Sequence, residues 1–177
     1  MNARFLIFVP LALLQLSVPG WMIFRQENIL KHGRVFKFQT APVDPYDAFR
    51  GRYVSLSFAA ESTSGTGNSD SEGENGWVRF GEDEKGFAKV KQVSLTPLKG
   101  DDVTEAKNSY GRLLFPFDRY YMDEEAAPNA ETAYRANSRR DHANAYATVR
   151  ILDGHAAIEE LYIDDKPVRE FLRADGK

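Results

Sequence analysis

The sequence predicts a mainly β protein, in which an N-terminal transmembrane helix precedes one small barrel-like or sandwich-like domain with a short helix. Three observations lead to this fold class. Residues 5–24 form an apolar run without a charged side chain. About 150 residues follow it, which is a common length for one domain with its own core. Most periodic segments in that domain alternate with period two and are joined by turn residues, as in antiparallel sheets.

Residues 1–25 are predicted to anchor the chain in a membrane. Arg4 and Arg25 flank the apolar run, and about 20 apolar residues suffice for a helix to cross a bilayer. A cleavable secretory signal is the alternative, but Val18-Pro19-Gly20 lacks the Ala-x-Ala character of a cleavage site. A retained signal-anchor is therefore expected. The chain has no cysteine, which removes a lipoprotein anchor, disulfides and thiolate metal sites.

The soluble domain is expected over residues 34–172. Asp153-Gly154 lies between two alternating segments and favours a tight β-hairpin. Pro128 lies near the start of a predicted helix, where proline is tolerated. Residues 97–107 are predicted to be a polar connector, and residues 168–172 a short terminal piece. Strands are predicted at residues 34–40, 53–60, 77–80, 87–95, 110–117, 143–152 and 155–163, and the helix from residue 129 or 130 to residue 140.

A polar segment, residues 61–76, interrupts this pattern. It contains no large apolar side chain, and such a composition cannot bury enough surface to offset the entropy of ordering. It is predicted to be a flexible loop between paired strands. Its Gly65-Thr66-Gly67 lacks the strand-to-helix context and the lysine of a phosphate-binding loop.

The most informative segment is residues 42–58, which joins a proline-rich approach, an Arg-Gly turn and an alternating strand. Side chains of successive strand residues point to opposite faces. One face is therefore predicted to be buried and the other polar. The predicted buried residues are Val54, Leu56 and Phe58, and the polar ones are Tyr53, Ser55 and Ser57.

This segment resembles the defining motif of the GDYXXLXY family of bacterial membrane-anchored proteins. Gly51, Tyr53 and Leu56 stand at the G, Y and L positions of the motif. Arg52 replaces the aspartate and Phe58 the final tyrosine, so the strand keeps an aromatic anchor and loses an acid and a phenol. The lead-in residues that are similar to the family's are Pro42, Val43, Asp44, Pro45, Phe49 and Arg50.

The resemblance extends more weakly to residues 115–125 and 145–168, and it implies a location. Positive charges on the two sides of the apolar run leave the orientation open. Family membership would imply a single-pass protein of the bacterial inner membrane with its soluble domain in the periplasm. It would also imply an integral membrane protein as partner, because family genes often neighbour a gene for a polytopic membrane protein.

The candidate binding residues are Arg50, Gly51, Arg52 and Tyr53. Two guanidinium groups on a tight turn can clamp a carboxylate or phosphate, although partner contact or pairing with nearby acids is the favoured use. The function expected is that of a non-catalytic interaction protein without a cofactor. The net charge of −3 gives no basic footprint for a nucleic acid.

A hydrolase or a divalent-cation-binding domain is the alternative function. Paired carboxylates can divide acid and base roles or hold a cation, and His142 could assist them. A solvated loop with an Asp118–Arg119 ion pair is the competing interpretation. No G-x-S-x-G or HExxH motif occurs, so the question of enzyme activity stays open, leaning to no. The acidic candidates are Asp118, Asp123, Glu124 and Glu125.

Overall fold

The computed structural model describes residues 3–42, 53–62, 73, 75–109, 112–138 and 144–175. The predicted Arg50–Arg52 turn, His142 and most of the predicted loop over residues 61–76 lie outside these ranges. The helices are α1 (Ala3–His32), α2 (Ala127–Asn137) and α3 (Val168–Asp175), with a 3₁₀ helix at Ala59–Ser62. The strands are β1 (Arg34–Gln39), β2 (Tyr53–Ser55), β3 (Asn75–Glu82), β4 (Ala88–Ser94), β5 (Val103–Ser109), β6 (Arg112–Leu114), β7 (Arg119–Tyr121), β8 (Ala145–Leu152), β9 (His155–Ile163) and β10 (Lys166–Pro167).

Helix α1 contains the predicted apolar run and continues beyond it into the domain. Over Phe8–His32 it is long and apolar enough to cross a membrane, and its most apolar window is not buried by the rest of the protein. The helix ends where Gly33 donates its backbone N–H to the Ile29 carbonyl over 2.8 Å. Ile29 itself is buried against the domain. The apolar helix therefore runs without a break into a packed junction.

The first sheet has the order β1-β8-β9-β10, with antiparallel neighbours. The predicted hairpin at Asp153-Gly154 is confirmed. Both turn residues have positive φ, 48° and 83°, which is the backbone that a two-residue hairpin turn of type I′ requires. Aspartate and glycine tolerate this conformation better than most residues.

The second sheet has the order β4-β3-β5-β6. Strands β3 and β4 overlap the strands predicted at residues 77–80 and 87–95 and form a hairpin. Asp83 stabilises its loop by accepting hydrogen bonds from the backbone N–H groups of Lys85 and Phe87. The connector predicted over residues 97–107 is wrong at its end, because β5 begins at Val103 and pairs with β3. Its few apolar side chains hid the strand, and pairing with a central neighbour overrides this weak propensity.

The motif segment pairs with β7 in a two-stranded sheet. Its predicted facing is confirmed, since Val54, Leu56 and Phe58 are all buried. The strand is shorter than predicted. It ends at Ser55, after which Leu56 donates its backbone N–H to the Asp118 carbonyl and the chain turns into the 3₁₀ helix.

The three sheets surround one aromatic core in a half-barrel arrangement. Phe38 lies at its centre and contacts the rings of Phe58, Phe80, Phe115 and Phe117, with centroid separations of 5.0–6.0 Å. Edge-to-face geometry dominates these contacts, which suits the ring quadrupoles. The β-rich fold class is therefore confirmed.

The helices depart from the prediction in detail. Helix α2 ends three residues earlier than predicted, and it buries Tyr134 and two alanines. The terminal piece over residues 168–172 is helical as part of α3, so the described part of the domain contains two short α-helices where one was predicted. Val168 at the start of α3 is fully buried, and this tertiary contact fixes the helix against the core.

Candidate functional site

The outer face of the β2–β7 pair carries the half-buried Tyr53 and the exposed Arg119 and Tyr121, which together we call the aromatic face. Tyr53 is directly opposite Tyr121 in the strand register, and their ring centroids are 5.7 Å apart. The Arg119 guanidinium carbon lies 5.1 Å from the centre of the Tyr53 ring, in cation–π contact. Tyr121 is 64% exposed. The motif strand thus presents Tyr53 on a surface that β7 completes.

A polar cleft of about 660 Å³ opens beside the aromatic face. Residues 116–121 form one wall and residues 156–160 of β9 form the other, with Gln26 of α1 and Arg169 of α3 at the ends. Arg119 and Tyr121 belong to both the cleft and the aromatic face. The cleft therefore lies between the motif sheet, the first sheet and the base of the apolar helix.

Tyr120 and Glu160 form a fixed polar contact within this cleft. The Tyr120 hydroxyl donates to the Glu160 carboxylate over 2.5 Å, and the same carboxylate oxygen accepts the backbone N–H of Leu161. Burial, followed by the neighbouring carboxylate, raises the pKa of Tyr120 well above its ordinary value. The phenol therefore stays protonated and serves as a donor. Arg169, which also lines the cleft, opposes this rise of the Tyr120 pKa by its positive charge.

A second, smaller groove of about 240 Å³ runs along α1. Apolar side chains of the helix, Met22 and Ile29, line it together with residues of the β8–β9 turn. This groove shares Gln26, Pro116 and Ala156 with the polar cleft. The two cavities are therefore adjacent. His155 borders the groove, and burial together with the charge of Arg25 lowers its pKa.

A buried polar cluster lies at the end of the motif strand. Glu61 is 5% exposed, and it accepts hydrogen bonds from Ser57 over 3.0 Å and from Arg112 over 3.2 Å. Burial raises the pKa of Glu61, an effect that these partners oppose. Tyr134 adds a link by accepting the Ser57 backbone N–H and donating to the Ala41 carbonyl. The sequence did not predict this cluster, because Glu61 is the first residue of the polar segment 61–76, which was predicted to be a flexible loop.

The structure separates the acidic candidates. Asp118 lines the polar cleft and lies 3.7 Å from Arg119 in an exposed ion pair. Asp123, Glu124 and Glu125 are exposed in the turn before α2 and do not line that cleft. Within the described ranges, no three His, Asp or Glu side chains converge as a metal site.

Of the predicted binding residues, only Tyr53 can be located. Arg50, Gly51 and Arg52 lie outside the described residues, and so does His142 of the acidic alternative. Tyr53 is on the aromatic face, where Arg119 supplies a guanidinium close to it. The sequence placed Arg119 beside Asp118 but gave no sign that it would meet the motif strand.

Fold and site together define a β-rich domain that a single apolar N-terminal helix carries, with a polar cleft at the base of that helix. The family model for the GDYXXLXY protein matches residues 15–161, and the chain belongs to this family. Comparisons with curated proteins and with solved structures found no match.

Proposed function

We propose that this chain is a membrane-anchored periplasmic protein that contacts an integral membrane partner and performs no catalysis itself. The observation that carries the proposal is the position of the aromatic face: it shares residues with a cleft that the base of the apolar helix lines. A surface held there meets other membrane proteins in preference to soluble ones.

The apolar helix supports the membrane part of the proposal. Its candidate span, Phe8–His32, leaves large apolar side chains exposed, and exposed apolar surface of this extent indicates a hydrophobic environment. Trp21 lies near the end of the uncharged run and contacts Phe24. Tryptophan is enriched at membrane–water boundaries, which favours a boundary near these residues.

The junction between α1 and the domain supports a fixed orientation. Ile29 is buried, and Arg150 donates from its guanidinium to the Gly33 carbonyl over 3.2 Å. Arg150 also pairs with Glu159 over 2.7 Å. These contacts tie the end of the helix to β8 and β9, so that rotation of the domain about its anchor would break them. A fixed orientation keeps the aromatic face at one height above the bilayer.

The composition of the aromatic face supports contact with a protein. Tyrosine and arginine are enriched among residues that dominate binding energy, because they combine apolar area with hydrogen-bonding groups. Tyr121 is largely exposed, while Tyr53 and Arg119 hold each other in place. A preorganised group loses little side-chain entropy when a partner binds.

Photocrosslinking in intact cells tests the partner. A photoreactive amino acid replaces Tyr121 in one variant and Leu95 in the control, since both positions are 64% exposed and Leu95 lies just beyond β4. The Tyr121 variant should crosslink to a polytopic membrane protein identified by mass spectrometry, whereas the Leu95 variant should not. Crosslinks only between copies of this chain, or equal yields at both positions, would contradict the proposal.

A reporter fusion tests the location separately. Alkaline phosphatase joined after Lys177 should be active, because it folds only outside the cytoplasm, and green fluorescent protein joined at the same place should be dark after export by the general pathway. The chain should stay in the membrane fraction after alkaline carbonate extraction. An inactive phosphatase with bright fluorescence would place the domain in the cytoplasm.

A further inference from the structure

We propose that the polar cleft and the groove along α1 together bind one phospholipid with a zwitterionic phosphoethanolamine head group. The inference rests on the membrane anchoring in the proposed function and adds a ligand to it. The head group would occupy the cleft, and the acyl chains would leave along the groove into the bilayer.

The two adjacent cavities match the shape of an amphiphile. The cleft is mainly polar, and the groove that adjoins it at Gln26 and Ala156 is more apolar, since Met22 and Ile29 line it together with the more polar Arg25, Glu105 and His155. Met22 belongs to the uncharged run, whereas Gln26 comes just after the run ends at Arg25. The groove therefore extends from the cleft toward the uncharged run, which it reaches at Met22.

The charges of the cleft match a zwitterion better than an anion. Arg119 and Arg169 provide two guanidinium groups for a phosphodiester. Asp118 and Glu160 provide carboxylates for a primary ammonium group. The third carboxylate, Glu159, is already paired with Arg150. A net anionic head group would bring no cation for the remaining carboxylates.

The contacts inside the cleft leave these charged groups able to bind a ligand. The Arg119–Asp118 separation of 3.7 Å is long for an ion pair, and both side chains are more than half exposed. Such an exposed ion pair contributes little to the stability of the folded protein, so a ligand can insert between Arg119 and Asp118 at little cost. Tyr120 holds Glu160 in position by a short hydrogen bond. Arg169 of α3 lines the same cleft, so its guanidinium group is also within the proposed site.

Native mass spectrometry of the full chain in detergent micelles tests the proposal. The purified protein is titrated with dioleoyl phosphatidylethanolamine, phosphatidylcholine and phosphatidylglycerol, and the fraction carrying one lipid is measured. Phosphatidylethanolamine should bind best, because its primary ammonium can donate hydrogen bonds to the carboxylates. Phosphatidylcholine cannot donate them, and phosphatidylglycerol lacks the cation, so both should bind more weakly.

Matched variants assign the binding to the cleft. Arg169→Gln should weaken phosphatidylethanolamine binding by about tenfold or more, which is the scale of a lost charge-assisted hydrogen bond. Arg173→Gln is the control, because Arg173 is exposed on the same helix and lies outside the cleft lining. Asp118→Asn should reduce the preference for phosphatidylethanolamine over phosphatidylglycerol. Ala156→Leu should weaken all three lipids by filling the junction of the cavities.

Three results would overturn the proposal. One is equal binding of phosphatidylethanolamine by Arg169→Gln and Arg173→Gln, and another is stronger binding of phosphatidylglycerol than of phosphatidylethanolamine. The third is displacement of bound lipid by an equal concentration of soluble glycerophosphoethanolamine, which would make the ligand a free phosphodiester. A protein that crosslinks no partner yet shows the expected lipid order would refute the partner proposal alone. A protein that is washed off by carbonate would refute the anchoring.

Discussion

Replacing Leu56 by alanine measures whether the motif strand anchors the core. Leu56 is 4% exposed and belongs to the hydrophobic core, so its side chain loses almost all contact with water on folding. Leucine-to-alanine changes at such sites cost about 2–5 kcal/mol, because a cavity remains in addition to the lost transfer free energy. Leu56 comes directly after β2, and its backbone N–H is held by the Asp118 carbonyl over 2.8 Å. This tether limits collapse around the cavity, so the upper half of that range is expected.

Urea unfolding of the purified chain provides the measurement. The midpoint should fall while the dependence on urea stays the same, because the mutation changes stability and not the surface exposed on unfolding. For a domain of this size, each kcal/mol lowers the melting temperature by about 2–4 °C, so the thermal midpoint should drop by roughly 7–20 °C.

Ser55→Ala is the matched control, since Ser55 is on the opposite face of the same strand and only half-buried. Its effect should stay within about 0.5 kcal/mol, as for most substitutions away from the core. Equal midpoints for the two variants would refute the assignment of the buried face. A changed urea dependence in the Leu56 variant alone would refute the cavity argument and indicate altered compactness.

Three further outcomes are expected. Gly33→Ala should destabilise the helix–domain junction by about 1–3 kcal/mol, because an added Cβ would lie 2.6 Å from the Ile29 carbonyl oxygen; hydrogen exchange of α1 near Ile29 should rise, and unchanged exchange would contradict the tight junction. Burial raises the folded-state pKa of Glu61 above 4.5, so between the two pKa values the native state binds a proton that the unfolded state does not. The contribution of Glu61 to the free energy of unfolding should therefore be present below pH 4.5 and be lost as pH rises through the folded-state pKa. Glu61→Gln should flatten this decline in urea midpoints, and an unaltered pH profile would exclude Glu61 as its source. Deleting residues 63–72 should lower the melting temperature by no more than a few degrees, because loop-closure entropy changes slowly with length; a larger drop in a thermal scan would show that the segment contributes to the core.

Local patterns in the sequence were sufficient for several elements. The uncharged run specified α1, and Asp153-Gly154 specified the β8–β9 hairpin, because both depend on neighbouring residues. The alternation of Val54, Leu56 and Phe58 predicted their buried face correctly for the same reason: side-chain direction in extended backbone follows from position alone. The motif also identified the family, which the match over residues 15–161 confirmed.

The candidate site depended on contacts between distant segments. Tyr120 and Glu160 are 40 residues apart, and Glu61 and Arg112 are 51 residues apart. No local pattern indicates such pairs, because burial of a polar group is favourable only once its partner has been brought to it. Strand β5 likewise forms because it pairs with β3, although its own composition is typical of a connector. The sequence by itself thus determined the apolar helix, the β8–β9 hairpin and the facing of the motif, since these follow from local backbone geometry and hydrophobic periodicity. The tertiary structure alone decided which polar side chains meet at the base of α1, because strand order and helix docking set that neighbourhood.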